Sequence, residues 1–233
     1  MKMRNFLDHL SPRQSLLTRS GKGSFEAVKS PSKYANFLPF LLVGLLLGCT
    51  NNLEISPVNL VEDKTIHPVQ GNYTAFVEQG AWVLEAKSRS AVFAVGGYES
   101  NLNEIYADAL KATLKANLQS VVFSEVPIPA SQIRSLGFDR QIIIHQGKAE
   151  SSFRIHKTFP LTGQQGDASL NVTIAIIDAE NTIKQEIAAG HGYLIKSSIF
   201  DLREEVIKSA TESALKNLLE NIVTTLRKQI TTN

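Results

Sequence analysis

The 233-residue sequence predicts an α+β fold: an antiparallel or mixed sheet of about four to six strands with two helices packed on one face. Three patterns lead there. Leu102, Tyr106, Leu110, Leu114 and Leu118 recur every four residues, which winds one apolar stripe along a helix. Val206, Ala210, Ala214, Leu218, Ile222 and Leu226 do the same near the end of the chain. Between the two, Leu170, Val172, Ile174 and Ile176 alternate with smaller or polar residues and the stretch "DAEN" makes a turn. Ile183, Ile187, Ala189, Tyr193 and Ile195 then alternate on the return. That is the period of a long β-hairpin with one apolar face and one wetter face.

The other elements follow in chain order. The stretch from Tyr73 to Tyr98 holds two strand-like runs, Trp82 to Glu85 and Ala91 to Val95, rich in aromatic and β-branched residues and punctuated by Gly96-Gly97. Asn101, with Glu104 three residues on, has the form of an N-cap with its reciprocal partner and opens the first helix. Val121 to Val126 is extended and is ended by Pro127 and Pro129. Arg140 to Ile144 and Ser152 to Ile155 read as one long strand with a bulge near Gly147. Asp201 with Glu204 starts the last helix, whose acidic first turn and basic Arg227 and Lys228 complement its dipole.

The amino-terminal quarter follows other rules. Phe37 to Leu47 is apolar throughout, yet a helix of that length rises only about 16 Å against roughly 30 Å of bilayer hydrocarbon. It is too short to span and has the length of a secretory signal core, with Lys29 and Lys33 upstream. At its exit, Leu46-Leu47-Gly48-Cys49 resembles a bacterial lipobox. The resemblance implies cleavage between Gly48 and Cys49, a diacylglyceryl thioether on Cys49 and an acyl chain on its new amine. Cys49 is the single cysteine of the chain, and lipidation removes a lone thiol that would be a liability in an oxidising compartment. Met1 to Asn36 is longer than an ordinary basic leader, as a start codon placed too early would make it.

The expected organisation is therefore a signal peptide over residues 1–48, a lipidated tether over 49–71 and a single α+β periplasmic domain over 72–233. Pro57, Pro68 and three asparagines mark the tether, although Leu53, Ile55, Val58 and Leu60 also allow an edge strand broken at proline. Residues 1–48 carry seven Lys or Arg and two Asp or Glu, so their removal turns the formal +2 of the whole chain into −3. No basic run survives, which argues against a nucleic-acid partner.

No phosphate-binding, dinucleotide-binding, metalloprotease or nucleophile-elbow motif is present in the sequence. His191 lies between Gly190 and Gly192 in a strand, where glycines admit a ligand or mark a bulge. A serine hydrolase can be drawn from His191 or His145, Asp178 and one of many serines, with no spacing that favours any of them. Arg140, Lys148, Arg154 and Lys157 form a candidate basic cluster on the long central strand. Phe159, Leu161, Gln164 and Asp167 belong to a glycine- and proline-containing stretch that reads as a partner-binding loop of roughly ten residues. Trp82 and five phenylalanines suit either an apolar groove or, more commonly, core packing.

Three stretches carry a family likeness: "NEIYADALKATLKANLQ", "LNVTIAIIDAENTIKQEIAAGHGY" and "EEVIKSATESALKNLLENIVTTL". Over roughly residues 91–228 the chain resembles small α/β envelope lipoproteins of the YajG type. More loosely it is similar to the lipopolysaccharide-assembly lipoprotein, the penicillin-binding-protein activator lipoprotein and the N-terminal domain of the Tol translocation protein. The resemblance implies a lipid-anchored, non-enzymatic domain on the periplasmic face of a Gram-negative outer membrane, since Thr50 stands where an aspartate would favour inner-membrane retention. It implies an envelope protein partner, a binding or scaffolding role in envelope assembly and no cofactor beyond the acyl chains. The rival readings are a lipid- or lipopolysaccharide-binding assembly subunit and, less favoured, the hydrolase.

Overall fold

One strand organises the sheet. In the computed structural model, which describes residues 51–58, 60, 67–78, 80, 82–88, 97–158, 161–180, 182–196 and 203–231, strand β6 runs from Arg140 to Thr158 and is paired along both edges. On one side lie β7 (Leu161–Asp178) and β8 (Ile183–Lys196), antiparallel in sequence order. The other side is shared. The first half of β6 pairs in parallel with β2 (Val69–Val77), with Ala75 opposite Ile142, and the second half in parallel with β3 (Leu84–Ser88), with Lys87 opposite Ser152. Beyond β2 lies β5 (Leu118–Ser124), and beyond β3 lie β4 (Gly97–Ser100) and β1 (Asn51–Leu53). The helices are α1 (Leu102–Asn117), a single turn α2 (Ala130–Ile133) continued as a 3₁₀ turn over Arg134–Leu136, and α3 (Arg203–Thr231).

The expected α+β fold stands, and the two long helices bury the predicted stripes: Leu102, Tyr106, Leu110 and Leu114 in α1, and Val206, Ala210, Ala214, Leu218, Ile222 and Leu226 in α3. Both stripes join the core side of the sheet, which holds Ile142, Ile144, Leu170, Val172 and Ile174. The sheet is mixed, and among the described residues it has eight strands rather than four to six. The excess comes from the short strands at its β1 edge and from β2. Strand β2 escapes periodicity because Tyr73, Thr74 and Ala75 are buried one after another, so the alternation of exposed Gln70 and Asn72 does not continue through its centre. Asp201 and the run Ala91 to Val95 lie outside the described residues.

The bulge expected near Gly147 is present as a register shift between Gln146 and Ala149. Ahead of it Ile142 and Ile144 point to the core; after it Ser151 and Phe153 do. One extra residue has moved the inward positions from even to odd numbers, which is why the segment shows no unbroken alternation in sequence. The Trp82 indole N–H donates to the Gly147 carbonyl at 3.2 Å, and Asn171 Oδ1 accepts from the Lys148 amide at 2.7 Å, so both sides of the bulge are held.

The hairpin of β7 and β8 forms as predicted, but its apolar faces do not coincide. Ala188 pairs with Val172 and Gly190 with Leu170, so even-numbered positions of β8 face the core and Ile183, Ile187, Tyr193 and Ile195 face outward. The cause is α3. A Cβ on Gly190 would collide with the Ala214 carbonyl and the Leu218 amide, and one on Gly192 with the Ala210 carbonyl and the Ala214 amide. The helix backbone lies directly on the strand, and only glycine leaves room for it. These glycines serve packing, neither a ligand nor a bulge.

Gly192→Val is expected to destabilise the fold by about 3 kcal/mol or more, because backbone atoms cannot step aside. His191→Ala, which changes an exposed side chain between the two glycines, should cost under about 0.5 kcal/mol. Denaturant unfolding of the two variants beside the parent measures both.

Candidate functional site

Part of the segment expected as a tether packs on the domain. Asn51–Leu53 pairs in parallel with β4, with Asn51 opposite Tyr98, and Leu53 and Ile55 are buried in the core. Of the edge-strand alternative Asn51–Leu53 is formed, while Ile55, Val58 and Leu60 are not strand residues, although Leu53 and Ile55 are both core members. Two asparagines hold this end of the molecule. Asn101 accepts from the Ile55 amide at 2.7 Å and donates to the Ile55 carbonyl at 3.1 Å. Asn103 does the same with Trp82, at 3.0 and 3.3 Å. Asn101 stands at the N-cap of α1 but makes no side-chain cap bond there; its amide is spent on Ile55, 46 residues earlier. Ser56 donates to Glu212 of α3 at 2.9 Å, which ties the segment to the second helix.

Strand directions give the domain two poles. Strand β1 is parallel to β4, β4 antiparallel to β3, and β3 parallel to β6, so β1 runs opposite to β6. The amino-terminal end of β1 therefore points the same way as the carboxyl end of β6. Among the described residues β6 and β7 continue there as a two-stranded arm, from the pair His156–Gly163 to Thr158–Leu161, beyond the last β3 residue, which pairs with Phe153, and the last β8 residue, which pairs with Gln164. The opposite pole carries a cleft of about 640 Å³ lined by Gln70, Tyr73, Arg134, Phe138, Arg140 and Asp178 among others.

The residues expected to form a partner loop lie mostly in that arm and the strand below it. Leu161, Gln164 and Asp167 belong to β7 and pair with Thr158, Ile155 and Ser152, so the stretch is a strand and not a ten-residue loop. Ladder bonds, on both edges at Gln164 and Asp167 and on the β6 edge at Leu161, outweigh the loop signal of scattered glycines. Gln164 is buried, and Asp167 accepts from Gln165 at 2.9 Å and Ser152 at 3.3 Å. Phe159 lies outside the described residues, as do Gly48 and Cys49.

The basic cluster is not a cluster. Arg140 and Lys157 are seventeen residues apart on one extended strand, roughly 55 Å, with Lys148 at the bulge and Arg154 between. Arg140 instead donates to the Ile230 carbonyl at 3.1 Å, placing its charge at the negative end of α3. Nor do the hydrolase residues meet. His191 lies opposite Ser169, nine residues along β7 from Asp178, about 30 Å away. His145 Nδ1 is 2.9 Å from the Glu78 carboxylate, and both side chains are about half exposed.

Asp178 closes the β7–β8 turn at the cleft. Its Oδ1 accepts from the Thr182 amide at 2.8 Å and the Glu180 amide at 3.0 Å. The Thr182 amide leads in holding its carboxyl below the usual 3.8, helped by Glu180 and by the charge of Arg140 and opposed by slight burial. Tyr73, beneath the cleft, donates to the Gln70 carbonyl at 2.6 Å, and burial raises its pKa although Arg140 pulls the other way. No group of three or more His, Cys, Asp or Glu able to hold a metal occurs among the described residues. No described helix is long and apolar enough to cross a membrane.

No protein-family model matches this chain, and no curated protein does. Among solved structures it is similar to a Xanthomonas campestris protein of the DUF330 family (10% identity, TM-score 0.44, covering 77% of this chain and 99% of that one). It is also similar to a Helicobacter pylori homolog of the neuraminyllactose-binding hemagglutinin (10%, 0.49, covering 76% and 94%). A minor lipoprotein of Acinetobacter baumannii is a third (12%, 0.35, covering 67% and 93%). At this level the likeness carries no residue across, and the functional reading rests on this chain's own residues.

Asn101→Ala should destabilise the fold by about 1–3 kcal/mol, since it orphans a buried amide and carbonyl of Ile55. Hydrogen exchange should then show Ile55 losing protection before α3 does. Asp178 contributes stability in full above about pH 4, and that contribution is lost as the pH falls through its depressed folded value. Asp178→Asn, which keeps the Oδ1 acceptor and removes the titration, should flatten the acid limb of a stability-versus-pH curve and leave the limb above pH 5 unchanged in shape.

Proposed function

We propose that this chain is a bacterial envelope lipoprotein, anchored through acyl chains on Cys49 to the periplasmic face of the outer membrane, whose domain binds or scaffolds partners in envelope assembly and catalyses nothing. The observation that carries the reading is the junction between lipobox and fold: β1 begins at Asn51, so Thr50 alone separates the cysteine from a hydrogen-bonded strand. Two residues reach at most about 7 Å, which holds the domain against the bilayer surface instead of letting it range on a tether. Two or more acyl chains give an anchor far beyond the marginal hold of one. The β6–β7 arm shares the anchor's pole, and the polar cleft faces away toward the periplasm. A module displayed in one orientation suits scaffolding between membrane-bound and soluble partners.

Mass spectrometry of the chain extracted from membranes tests the reading. A mature amino terminus at Cys49 carrying a diacylglyceryl group and an amide-linked acyl chain is expected, with a Cys49→Ser form retained as unprocessed precursor. Intact, unmodified parent in the cytosol would overturn it.

A further inference from the structure

We propose that the outward face of β8 is where a second copy of this chain packs, making a symmetric dimer. The inference goes beyond the anchored-scaffold reading and does not depend on it. Ile183, Ile187, Tyr193 and Ile195 are 59%, 68%, 70% and 61% exposed. The other exposed large apolar residues among those described are scattered over separate elements, whereas these four share one face of one strand. They have the period-two pattern of a buried strand surface, and the single chain leaves that surface open.

The surroundings say what kind of partner fits. Positions of β8 on this face carry no formal charge, and on β7 beside them only Asp167 does, already bonded to Gln165 and Ser152. A neutral face offers nothing to anionic lipid headgroups or to a charged partner, and it meets no like-charge repulsion when set against itself. The approach must be to the face and not the edge. Asn217 donates to the His191 carbonyl at 2.6 Å and Asn221 to the Ala189 carbonyl at 2.7 Å, so the middle of the free β8 edge is occupied by side chains of α3 and closed to strand addition.

The two ends of the stripe match when it is reversed on itself. Ile183 and Ile195 lie six residues either side of Ala189, with Ile187 and Tyr193 between them. A two-fold axis near Ala189 sets Ile183 of one copy against Ile195 of the other at each end and brings Tyr193 of one copy between Ile183 and Ile187 of the other, a reciprocal contact of the isologous kind, and the small central residue allows close approach. The four side chains offer on the order of 400 Å², about half of one partner's share of a standard interface. The adjoining Thr173, Ala175 and Ile177 of β7, neutral and half-buried on the same face, extend it.

Chemical cross-linking tests this in the full chain purified from membranes. A bis-maleimide with a spacer of about 8–10 Å suits the spacing of face-packed sheets. Ala189→Cys is expected to give a product of twice the chain mass. Adding Ile187→Lys and Ile195→Lys should cut its yield at least about tenfold, since each buries an unpaired charge. Val122→Cys on β5, 53% exposed, should give none. Monomer only from Ala189→Cys, equal yield from Val122→Cys, a product indifferent to the lysines, or an adduct of another mass would each overturn the dimer. The series is repeated in a Cys49→Ser background, so the outcome does not depend on lipidation. Cross-linking of the parent chain through Cys49 would count against the lipid anchor alone.

Discussion

The rest of the molecule depends on the contact between the backbone of α3 and the backbone of β8. At Gly190 and Gly192 no side chain separates helix from strand, and the carbonyls of Ala210 and Ala214 occupy the space a Cβ would need. Close approach brings the stripe of α3 down onto Leu170, Val172 and Ile174 of β7. It also decides the facing of β8. With glycine required on the helix side, the strand's large apolar residues are left on the other. One packing constraint thus completes the core and opens an apolar surface.

A second theme is the use of carboxamides where a backbone neighbour is lacking. Asn101 and Asn103 each take both the amide and the carbonyl of one residue, Ile55 and Trp82, as an adjacent strand would. Gln141, in the amide orientation that satisfies both its ends, does the same with Ile128 on the outer face of β6. Asn217 and Asn221 cover two carbonyls of the free β8 edge. A buried peptide group left unpaired costs about as much as a lost hydrogen bond, and these amides prevent that at the places where regular ladders stop. At the β1 edge they hold the segment that follows the lipobox cysteine, and so they govern how rigidly an anchored domain is displayed.

How much was legible in the sequence varied with the range of the interaction. The stripes of α1 and α3 were readable because each repeats within one segment and both helices bury the side that the period marks. The bulge in β6 was readable at Gly147, and the hairpin at its turn. Strand β2 was not, since its centre, Tyr73 to Ala75, is buried on both faces and shows no alternation. Leu161, Gln164 and Asp167 were read as loop because glycine and proline dominate locally, while the pairing that makes them strand comes from Ser152 to Thr158 on the neighbouring strand. The supposed basic cluster failed for a related reason: four cations on one strand are neighbours in sequence and far apart in space.

By itself the sequence determined the α+β class, the two helical faces, the hairpin and the likeness to a lipobox at Cys49, each of which is carried by residues within a short stretch. Only the tertiary structure decided that Leu53 and Ile55 join the core, that Asn101 serves Ile55 instead of capping its own helix, and that the apolar side of β8 faces away from α3. These depend on partners far along the chain, and a local pattern records that a face is apolar without recording what covers it.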